Sequence, residues 1–477
     1  MKTPPASLTP SLLFFAFTTT FATLAHAQGL DNHNQARDPG VRAGSVGAGF
    51  PLSTLSGSQQ EYFEDGFVRF IEVDSVGGSL AGEPGHGLGP GYNATSCGGC
   101  HSQPFAGGTS PRADTYPFVG VNPQVAAATE GGATNAVPSF VIPDGPVLET
   151  RFPYAVDGSG HLTQTRDGGV HAIYTIAGRS DAPGCTMAQP NYDQMQQLGN
   201  LVFRIPTPVF GAGLIENIAD ATILANMNAN GSLKRQLGIV GRPNSSGNDG
   251  SITRFGWKAQ NKSLEIFSGE AYNVEMGVSN ELFPNERANP PTNCLYNGTP
   301  EDHTNFDDGG SGIASDTVGF TVFMRFLAPP VPSVVGIPGN PPLQSIQSGQ
   351  ALFGQVHCDL CHTPTLQTAG SSLTPGLDHQ NAALYSDLLL HNMGWGLADN
   401  ILQGGAGAKD FRTAPLWGVG QRIFFLHDGR ATPVNGGLLA AIQAHASQGS
   451  EANSVMYSFN HLAESQKQDL LNFLRSL

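Results

Sequence analysis

The sequence predicts a mainly α-helical protein made of two copies of one unit, the first enlarged by a loop- and strand-rich insertion. Three observations carry this reading. The pattern Cys-x-x-Cys-His occurs twice, as Cys97-Gly98-Gly99-Cys100-His101 and Cys358-Asp359-Leu360-Cys361-His362. A helical pattern stands ahead of each: Phe63, Phe67 and Phe70 before the first, and Gly349 to Phe353 before the second. A second repeat lies downstream of each, running from Phe203-Arg204 to Gly211-Ala212-Gly213 in one half and from Phe411-Arg412 to Gly418-Val419-Gly420 in the other.

Taken in order, Ser58-x-x-Glu61 reads as a capping box that opens a helix over 58–72, with its phenylalanines at helical spacing. A glycine-rich run from Gly77 to Gly91 then delivers Cys97, whereas the second copy reaches Cys358 directly. From His101 to Arg204 is 103 residues but from His362 to Arg412 only 50, so the insertion sits in the first half. Its alternating stretch from Val170 to Ile176 predicts short strands. Met324 to Pro332 closes the first unit, and Pro338 to Pro342 completes a stiff linker. The expected domains are therefore 28–332 and 333–477. At the end of the chain, Ser465-x-x-Gln468 caps a helix whose Leu470, Leu471, Phe473, Leu474 and Leu477 form one apolar stripe.

Two thiols three residues apart match the two vinyl groups of one porphyrin, and the adjacent imidazole reaches the iron as proximal ligand. Each motif therefore reads as a covalent c-type haem site: Cys97, Cys100 and His101 for one, Cys358, Cys361 and His362 for the other. A zinc site would want its Cys pairs roughly 15–20 residues apart, but 257 residues separate Cys100 from Cys358. A thioredoxin-like pair would sit in a βαβ pattern, and none surrounds either motif. The helix and motif together resemble the haem-binding unit of cytochromes c.

Lys2, an apolar run centred on Leu12 to Leu24, and Ala25-His26-Ala27 read as a secretory signal over residues 1–27. As a membrane anchor the run is too short and is broken by Thr18, Thr19, Thr20 and Thr23; no later stretch reads as a span. Haem attachment to an exported chain points to a bacterial periplasm, where the two remaining thiols, Cys185 and Cys294, are most simply a disulfide, the alternative being two buried free thiols. The formal charge of −15 makes nucleic acid an unsuitable partner and suits attraction of a basic redox protein, or simply solubility. The 61 Gly and 34 Pro residues, about 20% of the chain against an ordinary ~12%, predict many loops.

Asp38-Pro39-Gly40-Val41-Arg42, Gly87-Leu88-Gly89-Pro90, Phe255-Gly256-Trp257-Lys258-Ala259-Gln260, Leu388-Leu389-Leu390-His391-Asn392-Met393-Gly394 and Phe425-Leu426-His427-Asp428-Gly429-Arg430-Ala431 resemble the bacterial di-haem oxidoreductases. That family is described as peroxidases and sometimes labelled thiol oxidoreductases. From Gly349 to Leu477 the chain is also similar to the di-haem cytochrome c peroxidases and to the di-haem enzyme that matures methylamine dehydrogenase. The resemblance implies a periplasmic enzyme reducing hydrogen peroxide at the haem of His101, with electrons passed from a small redox protein through the haem of His362. Calcium between the domains is a further implication. The alternatives are a di-haem electron carrier and an enzyme that oxidises a protein or an organic substrate.

In those peroxidases the second haem's distal ligand lies on a helix after the His-Asp-Gly element and is usually Met. Here Leu438, Ile442 and His445 fall at i, i+4 and i+7, so His445 is the expected ligand, with Met393 and His427 as rivals and a core histidine as the ordinary reading. For the first haem His86, His161 and His171 are weak candidates. Glu216, amid Leu214, Ile215 and Ile218, is the expected acid/base, a salt-bridged Glu being the alternative. Trp257 is a candidate bridge between the haems or a core residue. Arg204, Arg412 and Arg430 are candidate propionate partners or ordinary ion pairs.

Overall fold

A computed structural model describes residues 35–112, 122–304, 315–371 and 373–477; the expected signal segment 1–27 lies outside them. Among the described residues thirteen α-helices alternate with short antiparallel strands in two- and three-stranded sheets, so the fold is mixed rather than mainly α. Glycine and proline are the reason. They interrupt helical hydrogen bonding so often that several helices last little more than one turn.

The Gly57–Ile71 helix begins earlier than the sequence suggested. Its cap is Ser56, whose Oγ accepts from the Gln59 N–H (3.3 Å) while the Gln59 side chain accepts from the Ser56 N–H (3.0 Å). Ser56-x-x-Gln59 thus outcompetes Ser58-x-x-Glu61 as the capping box. Phe63 and Phe70 are buried against Phe323 of the Asp316–Phe326 helix, at 5.4 and 4.6 Å between ring centres, and burying each contributes roughly 1.5–3 kcal/mol. Gly66 lies at the crossing, where any Cβ would strike the carbonyl of Gly319.

The second half repeats this arrangement. The Leu343–Gln355 helix crosses the Glu464–Ser476 helix with Gly349 against the Asp469 carbonyl, and Phe353 lies 5.7 Å from Phe473. The terminal helix starts at Glu464, one residue ahead of the expected Ser465 cap. Ala463 has no side chain to cap with, so only half a box forms, its N–H donating to Gln466 Oε1 (3.0 Å). Leu470, Leu471, Phe473, Leu474 and Leu477 are all buried, as the stripe required.

Each downstream repeat is a strand ending in arginine, Val202–Arg204 and Asp410–Arg412, followed by a left-handed glycine, Gly211 (φ +64°) and Gly418 (φ +72°), that opens a short helical turn. The stretch 170–176 forms two short strands, as its alternation predicts. Val170–His171 pairs with Glu149–Arg151, and Tyr174–Thr175 pairs with Gly91–Tyr92, because the chain leaves one sheet for the other between them. Glu149–Arg151 also pairs with Val202–Arg204, which ties the insertion to the repeat.

The two cores share residues across position 332. Leu366, Leu384, Leu388 and Trp417 pack into the core that contains Phe70 and Phe323, while Ala36 joins the core built on the terminal helix. Residues 36–52 run as a strap over both halves: Arg42 N–H donates to Gly420 (2.9 Å), Ala43 to Gly336 (2.8 Å) and Leu52 to Phe326 (2.8 Å).

Cys185 and Cys294 form a disulfide. It closes a loop of 109 positions, so the Cys185→Ser, Cys294→Ser double variant is expected to lose about 2–5 kcal/mol of stability, seen as a lower midpoint in chemical denaturation. Among the described residues no helix is long and apolar enough to cross a membrane.

Candidate functional site

Two cavities hold the two Cys-x-x-Cys-His motifs, one each. Separate cavities exclude a four-thiol zinc site. The cavity at the second motif, about 220 Å³, is walled by Cys358, Cys361, His362 and His445 amid apolar side chains such as Phe353, Leu438 and Phe459. The cavity at the first motif, about 130 Å³, is walled by Cys97, Cys100 and His101 together with Phe70, Tyr272 and Met276.

The local fold sets the chemistry of the imidazoles. His101 Nδ1 lies 3.0 Å from the Gly108 carbonyl, His362 Nδ1 3.0 Å from that of Tyr385, and His445 Nδ1 2.9 Å from that of Ala441. A carbonyl only accepts, so each Nδ1 carries the proton and each Nε2 is left as a bare lone pair, the form that ligates a metal. Burial keeps the rings neutral by pushing His101 and His362 down to about 4 and lowering His445 as well. It also pushes the thiol of Cys358 up to about 12 and those of Cys97 and Cys100 upward.

His445 follows the Gly437–Gln443 helix and shares the cavity wall with Leu438 and Ile442. Its ring centre is 6.4 Å from that of His362. Two metal–nitrogen bonds of about 2 Å each, plus the offset from each nitrogen to its ring centre, fill that separation. Met393 and His427 line the same cavity, but His427 stacks on Phe411 (4.2 Å) and meets Trp257 edge-on (6.4 Å).

A cofactor with carboxylates of its own is also suited to two guanidinium groups here. Arg412 and Arg422 line the second cavity, are buried, and have no carboxylate partner among the described residues. Arg412 Nε donates to the Gly256 carbonyl (3.1 Å) and an Arg422 NH2 to that of Pro415 (3.1 Å). Burial pushes each down to about 10, which an anionic ligand would reverse. Arg422 was not legible as a site residue. Of the other two arginines, Arg204 pairs with Asp399 (2.7 Å) and Arg430 is half-exposed and pairs with Asp428.

The first cavity differs in kind. His101 is its only histidine among the described residues, and Glu149, Glu270 and Glu275 line it with Arg151 and Arg204. Glu149 and Glu275 are hydrogen-bonded to each other. Burial, then the neighbouring Glu149 charge, raise Glu275 well above the usual carboxylate range. Burial acts on Glu149 too, but Arg151 and Arg204 outweigh it and hold that carboxylate below its usual value. The two carboxyls are pushed in opposite directions, Glu275 toward holding a proton and Glu149 toward the carboxylate.

Glu216 stands elsewhere. It lines neither cavity; its carboxylate accepts from Arg325 Nε (2.6 Å) and from the Leu264 N–H at the start of the Leu264–Glu275 helix (2.8 Å). Position after the repeat suggested a haem-facing acid, but the short Ala212–Glu216 helix turns the side chain toward Arg325. The acid/base expected of Glu216 is corrected on this geometry. His86, His161 and His171 likewise line neither cavity; their carboxylate neighbours are Glu301, Asp157 and Asp167.

Trp257 and Ile205 line both cavities. The indole Nε1 donates to the Ile205 carbonyl (2.9 Å), and the Trp257 carbonyl accepts from the Arg412 N–H (2.9 Å). Beside this wall the buried Lys258 ammonium donates to the carbonyls of Gly407 (2.9 Å) and Asp410 (3.0 Å) and pairs with Asp399 (3.0 Å).

A family model described as "Di-haem oxidoreductase, putative peroxidase" matches residues 169–477. The chain belongs to this family. The matched span contains the second motif, and the first lies ahead of it. Haem is therefore the cofactor that the cavities of this di-haem oxidoreductase are suited to hold. No curated protein matches the chain. Among solved structures it is similar to hydrazine synthase from Kuenenia stuttgartiensis, pressurised with xenon, at 18% identity over 34% of this chain and 55% of that one, TM-score 0.20. The chain thus spans about half the length of that relative. It is also similar to a MauG-like protein associated with microbial copper homeostasis, at 16% identity over 55% of this chain and 89% of that one, TM-score 0.26.

Proposed function

We propose that this di-haem oxidoreductase is a periplasmic peroxidase with two covalent c-type haems, one per half of a duplicated chain. The observation that carries the proposal is the asymmetry of the cavities. The second sets two imidazoles with bare Nε2 atoms 6.4 Å apart between ring centres, while the first sets one imidazole in a chamber with a protonated acid pair. Haem iron with one protein ligand supplies a position where peroxide binds, and with two it supplies a store for electrons.

The chain's own groups do the rest. Reduction of hydrogen peroxide to two waters consumes two electrons and two protons. Asn93 Nδ2 donates to Glu275 Oε2 (2.8 Å), which leaves Oε1 to carry the acid proton. Glu275 Oε1–H gives one proton to the departing oxygen, solvent supplies the second and reprotonates Glu275, and the ionised Glu149 beside it, held by Arg151, favours that return. Trp257 forms the wall through which electrons pass from one site to the other. They come from a small redox protein drawn by the net negative charge. The signal-like residues 1–27 and the Cys185–Cys294 disulfide support an oxidising compartment.

The test is mass spectrometry and electron paramagnetic resonance of protein matured in a cytochrome-c-competent host. Two covalent haems and a resting spectrum with one high-spin and one low-spin ferric signal are expected. A single haem refutes the reading, and two low-spin signals with no reaction toward peroxide replace it with the electron-carrier alternative.

A further inference from the structure

Among the strap side chains that reach the second site, Asp38 carries a charge to the helix ahead of His445. The carboxylate of Asp38 is almost fully buried and forms a two-pronged pair with Arg475 of the terminal helix, Oδ1 to Nε at 2.7 Å and Oδ2 to NH2 at 2.6 Å. Oδ2 also accepts from the Leu438 N–H (2.8 Å), in the first turn of the helix that leads to His445. The remaining Arg475 nitrogen donates to the carbonyls of Gly420 and of Arg422, both at 3.0 Å. One carboxylate thus joins the strap, the terminal helix, the His445 helix and the Arg422 segment. The next residue of that helix toward its start, Gly437, is left-handed (φ +54°), and any Cβ there would strike Asp38 Oδ2.

We infer that Asp38 is a positioning residue for the second haem site: through its carboxylate the strap fixes the helix that presents His445 to His362. The Gly437–Gln443 helix has no side-chain cap of its own and opens on left-handed glycines, Gly436 before it and Gly437 as its first residue; besides the Asp38 carboxylate, the Gly437 N–H to the Thr432 carbonyl (2.8 Å) holds its start. Ser450 Oγ holds the His445 carbonyl (2.7 Å) at the other end. Burial opposes the charge on Asp38, but Arg475 and the N–H groups of Leu438 and Gly40 outweigh it and keep the carboxyl below its usual range. The anchor is therefore charged, and a charge-assisted hydrogen bond is about twice as strong as a neutral one.

This inference rests on His445 as the second ligand, and the experiment separates the two. Wild type, Asp38→Asn, Gly437→Ala and His445→Ala are prepared with both haems, and their resting spectra and cyanide titrations are compared. Asp38→Asn and Gly437→Ala should each let cyanide displace the imidazole at the second haem with an affinity about tenfold or more above wild type. The signal of the first haem should not change. Gly437→Ala keeps every charge and so decides the matter if Asp38→Asn does not fold. A lower melting temperature with wild-type spectra and wild-type cyanide affinity in the variants overturns the positioning role and leaves Asp38 a stabilising ion pair. A low-spin signal that survives in His445→Ala overturns the ligand assignment, and the inference falls with it.

Discussion

Replacing His445 by Ala is expected to abolish the low-spin ferric signal of the second haem and leave the first unchanged. Among the described residues the bare Nε2 of His445 has no other partner to serve, since its Nδ1 is committed to the Ala441 carbonyl and its ring faces His362 across the cavity. Removing it opens one face of the site to small ligands, so added imidazole should restore the signal. A neutral imidazole in place of a thioether lowers reduction potential, and its loss should therefore raise the midpoint of this haem. His427→Ala and Met393→Ala should leave the low-spin signal intact, although both residues line the same cavity. A spectrum that survives His445→Ala but not Met393→Ala rejects the assignment.

Glu275→Gln is expected to slow peroxide reduction by about 10²–10⁴-fold, the usual contribution of a positioned acid, with both haems and their resting spectra retained. Glu216→Gln should cost stability through Arg325 and the Leu264 N–H, and leave the reaction with peroxide unaffected. The pH dependence gives a second reading of the same residue. Glu275 keeps its proton well above the ordinary 4.5, so the native state binds more protons than the unfolded chain from that pH up to the raised value. Stability then falls as pH rises across that interval. Gln cannot lose a proton, so Glu275→Gln should flatten this slope and remove the alkaline fall in rate. An unchanged rate profile in the variant would show that the proton comes from elsewhere.

How far the sequence reached depended on whether a residue's chemistry was local. The Cys-x-x-Cys-His motifs carry their meaning within five positions. That His445 shares a cavity wall with Leu438 and Ile442 was legible because all three mark one helical face, and Cys185 with Cys294 because no other thiols were without an expected role. The helix starts were missed by one or two residues where Ser56 competed with Ser58 and Gln466 with Gln468, since several side chains offered the same bond. Glu149 and Glu275 were missed because their meaning is tertiary: one lies on a strand of the insertion, the other at the end of a helix 126 positions later. A trace existed, for Glu149-x-Arg151 puts both charges on one face of a strand flanked by buried Leu148 and Phe152. Glu216 misled because its neighbours Leu214 and Ile215 are buried, as a site acid's would be, while its own carboxylate serves a helix start.

The two glycine crossings have a consequence for biogenesis. Gly66 must wait for Gly319, roughly 250 positions of chain later, before its helix has a partner, and Gly349 must wait for Asp469 near the C-terminus. A chain emerging N-terminus first therefore presents Cys97 and Cys100, and later Cys358 and Cys361, while the helix that will close over each is still to come. Under the proposed covalent attachment, ligation would meet open thiols on an unfinished fold and helix docking would then close over the product, so that commitment to the native structure would follow cofactor insertion.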